Sequence, residues 1–160
     1  MHDARFVVKT TQGLLAHRSP FLFVDEGEIS NDERRAWGRH RFSADEPFFV
    51  GHFPGDPIVP GVILLEMAAQ TANLLLSHRA RRQVRGHLVA IDEAKFNLPV
   101  RPNQTVTVDV QFAREAPSNR EIEIGSMVGF KATGYLENRR CMRAAVYIYQ
   151  AGFGPDQPPA

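Results

Sequence analysis

The apolar run from Val62 to Leu76, interrupted by Glu66, Gln70 and Asn73, constrains this chain more than any other stretch. It is too short to span a bilayer. Read as a helix it is apolar on nearly all sides, and such a helix must be buried on nearly all sides. The remaining segments read as strands joined by short turns. The expected architecture is therefore α+β, an antiparallel sheet curved around one long central helix.

The flanking pattern supports this. Pro20 favours an extended residue before it, and Phe21–Val24 is a short apolar run leading into a buried strand. His17 and Arg18 precede that run and read as hydrogen-bonding partners of the neighbouring loop, since nothing close in sequence completes a site around them. Residues 35–42 alternate on a period of two, with Trp37 expected on the inner face and Arg35, Arg39 and Arg41 on a solvated outer face. Phe6–Val8 is a weaker signal, compatible with helix or strand. Beyond the helix, residues 87–96, 105–112, 121–136 and 140–150 read as strands, with turns at 97–103, 117–119 and 137–138. Arg79, Arg81, Arg82 and Arg85 suit a helix C-terminus, and Gly86 is expected to leave it in a left-handed conformation.

A length of 160 residues predicts a single domain, with its core over about 14–150 and a disordered tail over 151–160. A net charge of +1 excludes a strong overall field, so attraction to an acidic partner has to be local. Neither nucleic acid nor membrane is indicated as a partner. The lone cysteine, Cys141, cannot form an internal disulfide and has no metal-ligand spacing around it. With no signal-peptide pattern at the N-terminus, a cytoplasmic setting is expected.

Chemistry concentrates in Pro47–Asn73. A Pro/Gly-rich loop carries His52 between residues that restrict the backbone, and it runs directly into the helix. With the helix starting at Pro60, Glu66, Gln70 and Asn73 fall on one stripe. Glu66 then reads either as a structural carboxylate satisfied by Gln70 or a backbone amide, or as a partly desolvated general acid. The imidazole just upstream favours the second reading. Amides at the helix start, around Gly61 and Val62, supply donors for an oxygen that gains negative charge. Base, acid and oxyanion donors together suit abstraction of a proton next to a carbonyl with loss of a hydroxyl, a β-elimination of water.

The motif Pro47-Phe-Phe-x-Gly-His52-Phe-Pro-Gly-x-Pro-Ile-x-Pro60-Gly-Val, continuing to Glu66, Ala69 and Gln70, closely resembles the (3R)-hydroxyacyl-[acyl-carrier-protein] dehydratases of the FabZ type. So does His17-Arg-x-Pro-Phe-Leu-x-Val-Asp25 and, more loosely, Ile91-Asp-x-x-Lys-Phe96-x-x-Pro-Val100. The resemblance implies a hotdog fold and dehydration of carrier-bound 3-hydroxyacyl thioesters to trans-2-enoyl thioesters. It makes His52 the base and Glu66 the acid, contributed by different subunits of a homodimer, with assembly into a trimer of dimers left open. Gly61 would bind the carbonyl through its amide, Gln70 would orient Glu66, and Phe53 and Val62 would complete the substrate-binding positions. It implies no metal and no cofactor beyond the phosphopantetheine arm of an acyl carrier protein, for which the arginines at the helix end offer a local positive patch. Relatives of the FabA type carry Asp at the position of Glu66, so dehydration without double-bond isomerisation is expected. His87 stands where many relatives have a tyrosine that gates the acyl tunnel, and Arg101–Gln104 lacks the usual Pro-Gly-Asp turn. An acyl thioesterase and a catalytically silent acyl-binding subunit are the alternatives.

Overall fold

The computed structural model describes residues 5–114 and 126–151. Its strands are β1 (Arg5–Val8), β2 (Glu26–Ser30), β3 (Arg35–Arg41), β4 (Arg85–Phe96), β5 (Thr105–Phe112), β6 (Met127–Leu136) and β7 (Arg139–Ala151). A 3-10 turn at Pro47–Val50 precedes the one α-helix among the described residues, α1 (Gly61–Ala80). The strands form a single sheet in the order β1-β2-β3-β5-β6-β7-β4, every pairing antiparallel.

The sheet is wrapped around α1, which packs against β3, β4, β5, β6 and β7. Every residue from Met67 to Ser77 is buried, as a helix apolar on nearly all sides requires. The segment 9–25 contains no strand yet contributes Leu15, Phe23 and Val24 to the core that includes the helix. It is tied down by side chains. Gln70 Nε2 donates to Phe21 O and Gln70 Oε1 accepts from Phe23 N–H, at 3.0 and 2.8 Å. Arg18 Nη1 donates to Leu15 O and His17 O, as expected of a loop partner.

Close approach of helix to sheet depends on two glycines facing each other across β2 and β3, Gly27 and Gly38. A Cβ on Gly27 would stand 2.7 Å from Leu74 Cδ2, and one on Gly38 would overlap the Thr71 hydroxyl. Any larger residue there pushes the helix off the sheet.

Three expectations change. Trp37 lies on the outer face, not the inner one: a two-residue period places it with Arg35, Arg39 and Arg41, while Ala36, Gly38 and His40 point inward. Its ring is half-buried by cations, with the Arg5 guanidinium 3.8 Å and that of Arg35 4.9 Å from the centroid. The left-handed residue ending α1 is Arg81 (φ 55°), with Gly86 already inside β4. Gly86 is needed for space, since a Cβ there would meet Asn73 Oδ1 at 2.5 Å. Finally, α1 begins at Gly61 with Pro60 as its cap, one residue later than expected. The strand expected over 121–136 appears as β6, its first residues lying outside those described, as do the 117–119 turn and the 152–160 tail.

Candidate active site

The loop between the 3-10 turn and α1 is folded back on itself by its own backbone. Phe53 and Asp56 exchange N–H to carbonyl hydrogen bonds of 3.3 and 3.0 Å, and Ile58 N–H donates to His52 O at 2.9 Å. Gly55 supplies the positive φ (77°) that closes the turn. Two contacts then anchor it to the β4–β5 connection: Val59 N–H to Val100 O, 2.7 Å, and Arg101 Nη1 to Asp56 Oδ1, 2.6 Å. The His52–Phe53 peptide is cis, and the two rings stack with centroids 4.1 Å apart.

This loop sets the chemistry of His52. Nδ1 lies 2.9 Å from Ile58 O, which can only accept, so the proton of a neutral ring sits on Nδ1. Nε2 therefore carries the free lone pair that a base needs. His52 lines a cleft of about 300 Å³ with Ile58, Gly61, Leu64, Phe96 and Leu98. Gly61, the first residue of α1, brings one of the helix's unpaired amides to that cleft. The edge of the Phe96 ring occupies the space where a Gly61 Cβ would stand. Val62 and Phe53, expected among the substrate-binding positions, are 70% and 51% exposed and do not line this cleft.

Glu66 is not part of that cleft. Leu64 lines the cleft, and at about 100° per residue Glu66 lies about 200° further round the helix, on its opposite flank. There Glu66 Oε1 accepts from Gln70 Nε2 at 2.9 Å, and His17 Nε2 stands 3.4 Å from the same oxygen. Gln70 is fully buried, and its carbonyl is engaged by Phe23 N–H, so the orientation of its amide is set and its NH₂ must face Glu66. Asn73, next on the stripe, donates to Val84 O at 2.8 Å and belongs to the packing of the helix end. The structure thus brings His52 and Gly61 together, brings Glu66 and Gln70 together, and keeps the two pairs apart within one chain.

Two neighbours of these groups go beyond what the sequence pattern predicts. His17, expected to bond the neighbouring loop with Arg18, reaches Glu66 across the fold, and Phe96, expected in a strand, also packs its ring against Gly61. Both lie inside the motifs that carry the resemblance, which was the available signal. Of the arginines at the helix end, Arg79 donates to Glu33 O at 2.8 Å and Arg81 pairs with the Glu33 carboxylate. They stand about 30 Å along α1 from Gly61. Among the described residues no cluster of three or more His, Cys, Asp or Glu is arranged to hold a metal, and no helix is long and apolar enough to cross a membrane.

Comparison with known proteins gives the family and the fold. Residues 28–126 match the ApeI-like family, ApeI dehydratase. The chain is 35% identical over 126 residues to the 3-hydroxyacyl-[acyl-carrier-protein] dehydratase FabZ of Caulobacter vibrioides, covering 77% of this chain and 79% of that protein. It is 43% identical over 110 residues to FabZ of Chloroflexus aggregans, covering 67% and 75%. In fold it is similar to the dehydratase heterocomplex ApeI:P of Xenorhabdus doucetiae, with a TM-score of 0.72 and 14% identity over 89% of this chain and 91% of that one. Extent and level of identity together place the chain: it belongs to the hotdog-fold 3-hydroxyacyl-[acyl-carrier-protein] dehydratase family, with the FabZ type and the ApeI-like dehydratases.

Proposed function

We propose that this protein removes water from (3R)-hydroxyacyl thioesters carried on an acyl carrier protein, giving trans-2-enoyl thioesters for fatty-acid or polyketide-like synthesis. The observation that carries the reading is a base with its lone pair free, beside an unpaired helix-start amide, in a cleft lined by apolar residues. His52 Nε2 takes the α-proton. The Gly61 amide holds the thioester oxygen as it becomes an enolate. Glu66 gives its proton to the β-hydroxyl, which leaves as water as the double bond forms. The proton taken by His52 returns to Glu66 through water, resetting both groups. Each step moves only protons and water, so the residues named supply the whole reaction, and the pantetheine arm arrives with the substrate.

Because one chain separates His52 from Glu66, the complete site takes two chains. β4 supports such a pairing. It is the last strand of the sheet, its outer edge is unpaired among the described residues, and Val89, Ile91 and Phe96 on it are exposed. A homodimer joined there covers these side chains and places each His52 cleft near the partner copy's helix. Carrier protein is the proposed second partner, with the cytoplasm as the setting. Arg82 at the helix end is exposed and is the residue of that group best suited to meet it.

Absorbance of the enoyl product, followed against release of free thiol, tests the reaction on a carrier-bound 3-hydroxyacyl chain. Enoyl product without thiol is expected; thiol without enoyl product identifies a thioesterase and ends the dehydratase reading. His52→Ala and Glu66→Gln are each expected to lower kcat on the order of 10²–10⁴-fold with the dimer retained.

A further inference from the structure

Glu66 has two oxygens, and its surroundings treat them differently. Oε1 accepts from Gln70 Nε2 and faces His17 Nε2, whereas Oε2 has no hydrogen-bond donor among the described residues. His17 is held in place independently of Glu66. Arg18, its neighbour, bonds Leu15 O and His17 O, and Gln83 Nε2 also donates to Leu15 O at 2.9 Å, so the backbone carrying the imidazole is pinned on both sides.

The protonation of His17 follows from the same geometry. Its Nδ1 is buried without a hydrogen-bond partner, so an imidazolium would strand a buried N–H there. A neutral ring with its proton on Nε2 avoids that and points its one donor at Glu66. Burial depresses the imidazole below its ordinary value of 6.5, the Glu66 charge opposing this and Arg18 adding to it. Nε2 and Oε1 are 3.4 Å apart, longer than a formed hydrogen bond. Contacts of this kind tighten once substrate fills a site.

We infer that His17 is a positioning residue for the acid: with Gln70 it makes Oε1 of Glu66 a permanent acceptor, so that the transferable proton resides on Oε2. The inference rests on the role proposed for Glu66. It assigns His17 no contact with substrate. Among the described residues His17 is the titratable group facing Glu66, and Arg18 the charge acting on His17; in the proposed dimer the second copy's His52 adds a third.

Two substitutions test this. His17→Leu keeps bulk but removes the N–H, while His17→Gln restores a neutral donor at similar reach. His17→Leu is expected to lower kcat tenfold to a hundredfold, roughly the effect of one hydrogen bond to a charged group, with KM little changed. His17→Gln is expected to recover most of that loss. In parallel, the Glu66 carboxyl is titrated by carbon-13 NMR, a readout that needs no turnover. Loss of a donor to the carboxylate raises its pKa in His17→Leu, and His17→Gln returns it toward wild type. Wild-type kcat in His17→Leu, no advantage of His17→Gln over it, or an unmoved Glu66 titration in His17→Leu each overturns the inference. Should the unmodified protein form no enoyl product, the functional reading fails by itself, and the titration still decides whether His17 acts on Glu66.

Discussion

At the scale of single residues, burial and partner choice decide what each histidine can do. His52 has an acceptor on one nitrogen and a cleft by the other, which makes a base. His17 has a carboxylate on one nitrogen and no partner on the other, which makes a donor. His78, in the last turn of α1, faces Glu33 and Arg81 and packs against the tilted ring of Phe6, with ring centroids 4.8 Å apart. Burial is the largest influence on it and lowers its pKa below 6.5, Glu33 opposing and Arg81 reinforcing the shift. His17 is lowered for the same first reason. Unfolding therefore releases imidazoles that bind protons more readily than in the native state. Their contribution to stability is complete above about pH 6.5 and is lost as pH falls from there through the lower native values. Urea unfolding midpoints are expected to drop between pH 7.5 and 5, and His78→Gln to flatten part of that slope; an unchanged slope counts against His78 as a contributor.

At the scale of elements, the helix is placed by what the sheet lacks. Gly27 and Gly38 leave a hollow in β2 and β3 that Leu74 and Thr71 fill. Gly38→Ala is expected to destabilise the fold by about 1–3 kcal/mol, the usual effect of overpacking a filled core, measurable as a lower urea midpoint. Gly13→Ala, where no atom lies within 4 Å of the new Cβ, serves as the control and should shift it little. The same crowding explains why Trp37 faces outward. The inner positions of β3 lie against the helix and admit Ala36, Gly38 and a flat imidazole, so the largest side chain goes to the face where Arg5 and Arg35 cover it.

At the scale of the whole molecule, the fold divides the proposed chemistry between two flanks of one helix. This makes a prediction about mixtures. Purified His52→Ala and Glu66→Gln, each inactive as a homodimer, should regain activity when their subunits are exchanged, because one site of every mixed dimer then holds an intact His52 and an intact Glu66. Random exchange restores about a quarter of the sites. No recovery despite verified exchange would place both groups in one chain. The sequence by itself determined that a helix apolar on nearly all sides needs a sheet around it, since apolar patterning is a local property of the chain. It also determined the stripe Glu66–Gln70, because helical spacing alone makes those two meet. The facing of Trp37 and the partnership of His17 with Glu66 were decided only by tertiary structure, which also places His52 and Glu66 on different flanks of the helix, as the division between subunits implied by the resemblance requires. They depend on how closely the helix approaches the sheet and on where a strandless segment crosses it, distances set by packing between residues far apart along the chain.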